Sequence, residues 1–206
     1  MKASIRVALF GILAAAVLVA TEVQAQAPSK AVFLIARPGM PDPNFRETVV
    51  LVVQAEGGGE ATGVIINRPT NRSLAEILPG ERFSRFTDPI FFGGPVAQQG
   101  LFALFQSDKY SGAAVPMLPQ VWFAVLPDSV DGLVGNPPPK IRFFSGYSGW
   151  GPGQLQGELD RGDWLVTDAD PKTIFLRDTS KLWQDMVRRA RAVHAQAEGG
   201  AISSAR

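Results

Sequence analysis

The chain has 206 residues, 20 basic against 19 acidic side chains, 46% hydrophobic residues and no cysteine. That length holds one domain with a real core and is short for two. Without cysteine there is no disulfide, thiol nucleophile or zinc-thiolate site, and the near balance of charge excludes the broad positive field that drives nucleic-acid binding by counterion release.

At the N-terminus, Lys2 and Arg6 precede an apolar run from Val7 to Ala20, followed by a short polar stretch ending in small residues. This is the plan of a secretory signal peptide. The run is about 14 residues, below the roughly 18 to 20 that a permanent bilayer helix needs, so no stable membrane span is expected after cleavage. An uncleaved anchor is the alternative. Small-x-small sites end at Ala25 and Ala27, and Pro28 disfavours the second, so cleavage is expected after Ala25. No cysteine follows the run and no Arg-Arg pair precedes it, which leaves the general secretory pathway and a periplasmic or secreted product. Losing Lys2, Arg6 and Glu22 makes the mature chain formally neutral.

Residues 26–195 read as one α+β domain, with 196–206 a frayed tail. Strands are predicted over Ala31–Ala36, Thr48–Ala55 and Ala61–Asn67, the last two joined through Gly57-Gly58-Gly59 and the third stopped by Pro69. Ser73 and Glu76 form a capping box for a short helix to Leu78. Further strands are predicted over Pro89–Phe92, Leu101–Gln106, Val121–Leu126 and Lys140–Ser145, with a short helix over Asp128–Leu133. Gly146 to Trp150 reads as a strand-to-helix turn, with Pro152 in the first turn of a helix through Leu159 to Gly162. Asp163–Thr167 is a strand, Pro171–Phe175 a helical turn, and Thr179 to about Ala195 a helix with Leu182, Trp183, Met186, Val187, Ala190 and Val193 on one stripe.

Several loops are stiff. Arg37-Pro38-Gly39-Met40-Pro41-Asp42-Pro43 holds Arg37, Met40 and Asp42 in set directions, and Asn67, Arg68 and the Gly93-Gly94-Pro95 turn likewise present polar or backbone groups at strand ends. Together with Tyr147, Trp150 and Gln154 around the glycine-rich turn, they are the candidate ligand-binding residues. Turn chemistry and packing explain each of them individually.

Catalytic chemistry is sparse. Gly146-Tyr147-Ser148-Gly149-Trp150 approaches the G-x-S-x-G nucleophile elbow, but its fifth residue is Trp150, and a triad of Ser148, Asp168 and His194 depends on a histidine near the end of the last helix. Gly149-x-Gly151-x-Gly153 has neither dinucleotide nor P-loop spacing. The cluster of Asp160, Asp163, Asp168 and Asp170 lacks calcium-loop spacing, and one histidine without cysteine cannot build the usual transition-metal sets. Neither a cofactor nor a metal is indicated. The basic residues Lys181, Arg188, Arg189 and Arg191 interleave with Asp178 and Asp185, as on a solvated helix face, which argues against a nucleic-acid partner.

Arg37 to Phe45, Gly63 to Pro69, Phe92 to Val96, Gly146 to Leu155, Gly162-Asp163-Trp164 and Leu182-Trp183 stand in the order in which the YqgE/AlgH family (DUF179, UPF0301) carries similar segments. The chain resembles that family from about Val32 to Val193. The resemblance implies an α+β fold on a bifurcated, mostly antiparallel sheet flanked by helices, and no settled activity. It also brings a transcriptional-regulator label, for which no helix-turn-helix is present here, and a cytosolic location, with which the leader disagrees. The expected function is therefore an exported module binding a small ligand or an envelope protein without catalysis. A hydrolase using Ser148 and the regulatory label are the alternatives.

Overall fold

The computed structural model describes residues 31–109 and 112–203, with side chains up to residue 193. The leader and its cleavage point lie outside the described residues, as does the side chain of His194. Ten strands form one sheet. β1 (Val32–Ala36), β2 (Val49–Gln54) and β3 (Ala61–Ile65) run as an antiparallel meander, with β10 (Trp164–Asp168) paired outside β1. Both faces of β1 and β2 are apolar because both are covered.

β9 (Lys140–Trp150) joins the two wings of the sheet. One edge of β9 pairs antiparallel with β6 (Val96–Gln106), beyond which lie β8 (Val121–Ala124) and β7 (Val115–Leu118). Its other edge is shared. Ser148 to Trp150 pair with Ala61 to Gly63 of β3, while Phe144 and Ser145 pair in parallel with Phe91 and Phe92 of β5 (Pro89–Phe92), itself paired with β4 (Pro69–Ser73). Two strands on one edge fork the sheet, giving the bifurcated, mostly antiparallel α+β domain that was expected.

The helices are α1 (Leu74–Ile77), α2 (Pro127–Gly135), α3 (Gln154–Asp160), α4 (Pro171–Ile174) and α5 (Leu182–Ser203). The capping box forms as read, Ser73 N–H donating to Glu76 Oε2 at 2.9 Å. Leu182, Met186, Val187 and Ala190 of α5 join Phe33, Ile35, Leu51 and Val64 in a core shared by one face of both wings. The opposite face of the β1–β3 wing is closed by Met40, Leu155 and the two indoles Trp150 and Trp164, and that of the β6–β8 wing by α1 and α2.

The structure departs from the sequence-based expectations at five points. Pro69 does not merely end a strand: it begins β4, and β7 was missed because Pro116 sits in it, which an edge strand tolerates. Gly146 to Trp150 are the last residues of β9 and not a turn. Gly146 takes φ 72° there because the chain crosses Gly94 and Val96 at backbone contact. Helix α3 starts at Gln154 with Gly153 as its left-handed cap, so Pro152 lies outside it. Helix α5 runs past Ala195 to Ser203, although Gly199 and Gly200 are poor helix formers.

Candidate functional site

The stiff Arg37–Glu47 loop is clamped onto the sheet by Asn67 and Arg68. Asn67 Oδ1 accepts from Val49 N–H at 2.8 Å, and its Nδ2 donates to Glu47 O at 2.9 Å. Arg68 Nη1 and Nη2 donate to Asn44 O at 2.7 Å and Arg46 O at 2.9 Å, with the guanidinium 5.7 Å from the Phe92 ring centre. Burial lowers the Arg68 pKa, a shift that nearby Asp42 opposes. Asp42 Oδ1 accepts from Asn44 N–H at 2.8 Å, closing a local turn. Arg37 is half exposed and pairs with Asp163 at 3.6 Å.

The Gly93-Gly94 turn lies where the sheet forks. Gly93 N–H donates to Ser145 O, and Gly93 O accepts from Ile65 N–H, each at 2.9 Å. A Cβ on Gly93 would stand 2.2 Å from Gly146 O, and one on Gly94 2.4 Å from Tyr147 O. The glycines are there because two backbones touch. Ser148 is wholly buried, and its hydroxyl donates to Gly93 O at 3.0 Å. A nucleophile elbow needs a sharp turn that exposes the hydroxyl. Ser148 sits within a strand and its hydroxyl is committed to the fork.

Tyr147 and Trp150 point to opposite faces of β9, so no single pocket unites them. Tyr147 packs edge-on against Phe102 in the core beneath α5, at 5.3 Å between ring centres. Trp150 is buried with Met40 on the other face. There the Trp150 and Trp164 Nε1–H groups both donate to Glu158 Oε2 at 2.8 Å, and Gln154 Nε2 donates to Oε1 at 3.1 Å. Gln154 Oε1 accepts from Gly151 N–H at 3.2 Å, holding the entry to α3. Phe45 stacks on Trp150 and meets Trp164 edge-on. The expected site thus divides into a clamped loop, a glycine crossing and an indole pair around one carboxylate.

A concave site lies elsewhere. A cleft of about 1000 Å³ opens between α2 and the adjoining ends of β6 and β9, lined by Phe105, Asp108, Asp128, Gly132, Leu133 and the Pro137–Pro139 run among others. On the far side of β9, Arg142 is half-buried, with no ion pair to a carboxylate among the described residues. It donates to Ile174 O at 2.7 Å and Leu176 O at 2.5 Å, and lies 4.2 Å from the Phe91 ring centre. Burial pushes its pKa down to about 10, against the pull of Asp88.

The family model described as DUF179, AlgH-like, matches residues 33–194. The chain belongs to the AlgH-like DUF179 family. A UPF0301 protein of Myxococcus xanthus is 36% identical over 163 residues, 75% of this chain and 87% of the relative. Another, from Streptomyces avermitilis, is 36% identical over 168 residues, covering 77% and 84%. The solution structure of the AlgH protein from Pseudomonas aeruginosa superposes with TM-score 0.64 at 32% identity, over 79% of this chain and 90% of that one. A crystal structure of a Corynebacterium diphtheriae protein, at 22% identity and TM-score 0.57 over 79% of this chain and 87% of that one, shares the fold.

In this AlgH-like chain, sequence reasoning found the loops and missed Glu158, Arg142 and the cleft. Glu158 follows Gln154 by one helical turn, but nothing local says that two distant indoles converge on it. The cleft did leave a trace: a glycine inside a short helix followed by three consecutive prolines. Among the described residues, no group of three or more His, Asp or Glu side chains is placed to hold a metal, and no helix is long and apolar enough to cross a membrane.

Proposed function

We propose that the chain is an exported binding module that holds a ligand or a partner segment in the cleft beside α2 and does no chemistry of its own. The observation that carries this is the cleft itself. It has the volume of a ligand site and brings a proline run together with polar and charged side chains of both signs, while the glycine-rich motifs are spent on a backbone crossing. Export rests on the leader: basic residues, a short apolar run and small-residue cleavage sites.

A regulatory role through DNA has less support. The net charge is close to zero, and Arg188 and Arg189 of α5 are already paired with Asp185 and Asp170. With the net charge near zero and these two cations paired, the counterion-release term is small.

Cell fractionation of untagged protein with intact-mass analysis tests the first half of the proposal. A mature form beginning at Gln26 in the periplasm or medium is expected, and a full-length cytosolic form would overturn export. A thermal-shift ligand screen on the same material tests the second half. Stabilisation that disappears in Gly132→Leu, which fills the cleft, is expected. Turnover of a substrate with no saturable ligand at the cleft would refute the binding reading.

A further inference from the structure

A second concavity lies on the β1–β3 wing, between α3 and the turn after β2. Its open apolar surface is Val32, Leu159 and Val166, set over Leu34, Val52 and Leu155, which are buried. Val166 is 37% exposed, one of the large apolar side chains that the described residues leave uncovered. Gln54 to Gly58 form the far wall, where a Cβ on Gly57 or Gly58 would meet nothing within 4 Å. Among the described residues of the lining Glu56 alone is charged, and it is exposed, with no ion pair to another described residue. The groove holds about 390 Å³, room for a few small side chains.

The chain enters at the edge of this groove. Residue 31 is the first described, and Val32 beside it is part of the lining. Val32 stands opposite Val52 in an antiparallel pair, so each step back along β1 is a step forward along β2, and residue 30 comes level with Gln54, two residues from Glu56. The five residues before Ala31 are Gln26-Ala27-Pro28-Ser29-Lys30, which carry one charge, a cation, and otherwise short or uncharged side chains. Five residues reach at most about 17 Å, and Val166 lies on the strand next to Val32, opposite Leu34. Pro28 holds Ala27 extended. A segment tethered this closely has a local concentration in the millimolar range, which a free competitor has to match. The apolar run Val7–Ala20 is too long for a groove of this size, and a stable dimer buries about 800 Å² per partner, more than these few residues offer.

We propose that residues 26–30 close over this groove as a strap. The chain turns back at Ser29-Lys30, Lys30 pairs with Glu56, and Ala27 and Pro28 lie on Val32 and Val166 against Leu159. The strap depends neither on the cleft beside α2 nor on removal of the leader, because a full-length chain carries the same segment.

The test is nuclear Overhauser spectroscopy on the intact protein as recovered, its N-terminus read from its mass. Contacts from Ala27 and Pro28 to the methyl groups of Leu159 and Val166 are expected, unchanged on dilution. Val166→Lys, at an exposed position of an edge strand where lysine is tolerated, should abolish them without unfolding the protein. Glu56→Lys should lower the ratio of docked to free segment about three-fold, the size of one exposed charge pair, and combining it with Lys30→Glu should restore the ratio.

Absence of those contacts in the wild type, or contacts that survive both single substitutions, would overturn the inference. Contacts that strengthen with protein concentration would assign the groove to a second copy and overturn it as well. A full-length mass with the contacts present would refute export and leave the strap standing.

Discussion

Single side chains hold this fold at points that their sequence context does not advertise. Arg142 gives its donors to carbonyls at the end of α4 and just beyond it, with Phe91 beneath the guanidinium. Arg142→Met keeps the stem but removes the donors to those carbonyls, and should cost about 1–3 kcal/mol in urea unfolding. Ser148 is the opposite case, a residue whose motif suggests chemistry and whose position makes it structural. Ser148→Ala loses one buried hydrogen bond. The expected loss is about 1 kcal/mol, with any hydrolysis of model esters unchanged. A Ser148→Ala protein that keeps its stability but loses a measured esterase activity would restore the nucleophile reading.

Elements were legible where the signal is local. The meander β1–β3 is legible from its valine runs, and α1 from Ser73 and Glu76, because period, capping and burial all agree there. Gly146–Trp150 misled because Gly146 and Ser148 serve a crossing with the Gly93-Gly94 turn far away in sequence, and no local pattern encodes that partner. The β7–β8 turn shows a local conflict that can be relieved. Pro119 fits the second position of a type II turn, but Gln120 follows it at φ 66°, where glycine is favoured. Gln120→Gly should stabilise by about 0.5 kcal/mol net, the relief of left-handed strain outweighing the added chain entropy. Helix α4 offers a pH test. Burial would raise the pKa of Asp170, but bonds from Thr173 and Arg189 outweigh it and leave it below 3.8. A depressed carboxylate stabilises the fold above its unfolded pKa, and that contribution is lost as pH falls through the folded one. Asp170→Asn keeps the cap and removes the titration, so its stability should fall less than the wild type's on acidification below about pH 4.

For the molecule as a whole, the fork at β9 is the feature on which the two wings depend. A Cβ on Gly93 would stand 2.2 Å from Gly146 O, and neither backbone can yield without unpairing β3 or β5. Gly93→Ala is therefore expected to lose about 3 kcal/mol or more, or to fail to accumulate as soluble protein. Gly151→Ala, where nothing stands within 4 Å, should stay within about 0.5 kcal/mol of the wild type. The family resemblance was readable from end to end because its motifs mark these crossings and clamps. The cleft was not, because it is made by the relative placement of α2 and two strand ends. Trp150 and Trp164 supply a last consequence: two indoles 6.3 Å apart, crossed at 77° and tied to one carboxylate, form a rigid chiral chromophore pair. Their electronic transitions should couple into a circular-dichroism couplet, an optical signature of whether Phe45, α3 and β10 are still in place while the other wing of the sheet unfolds.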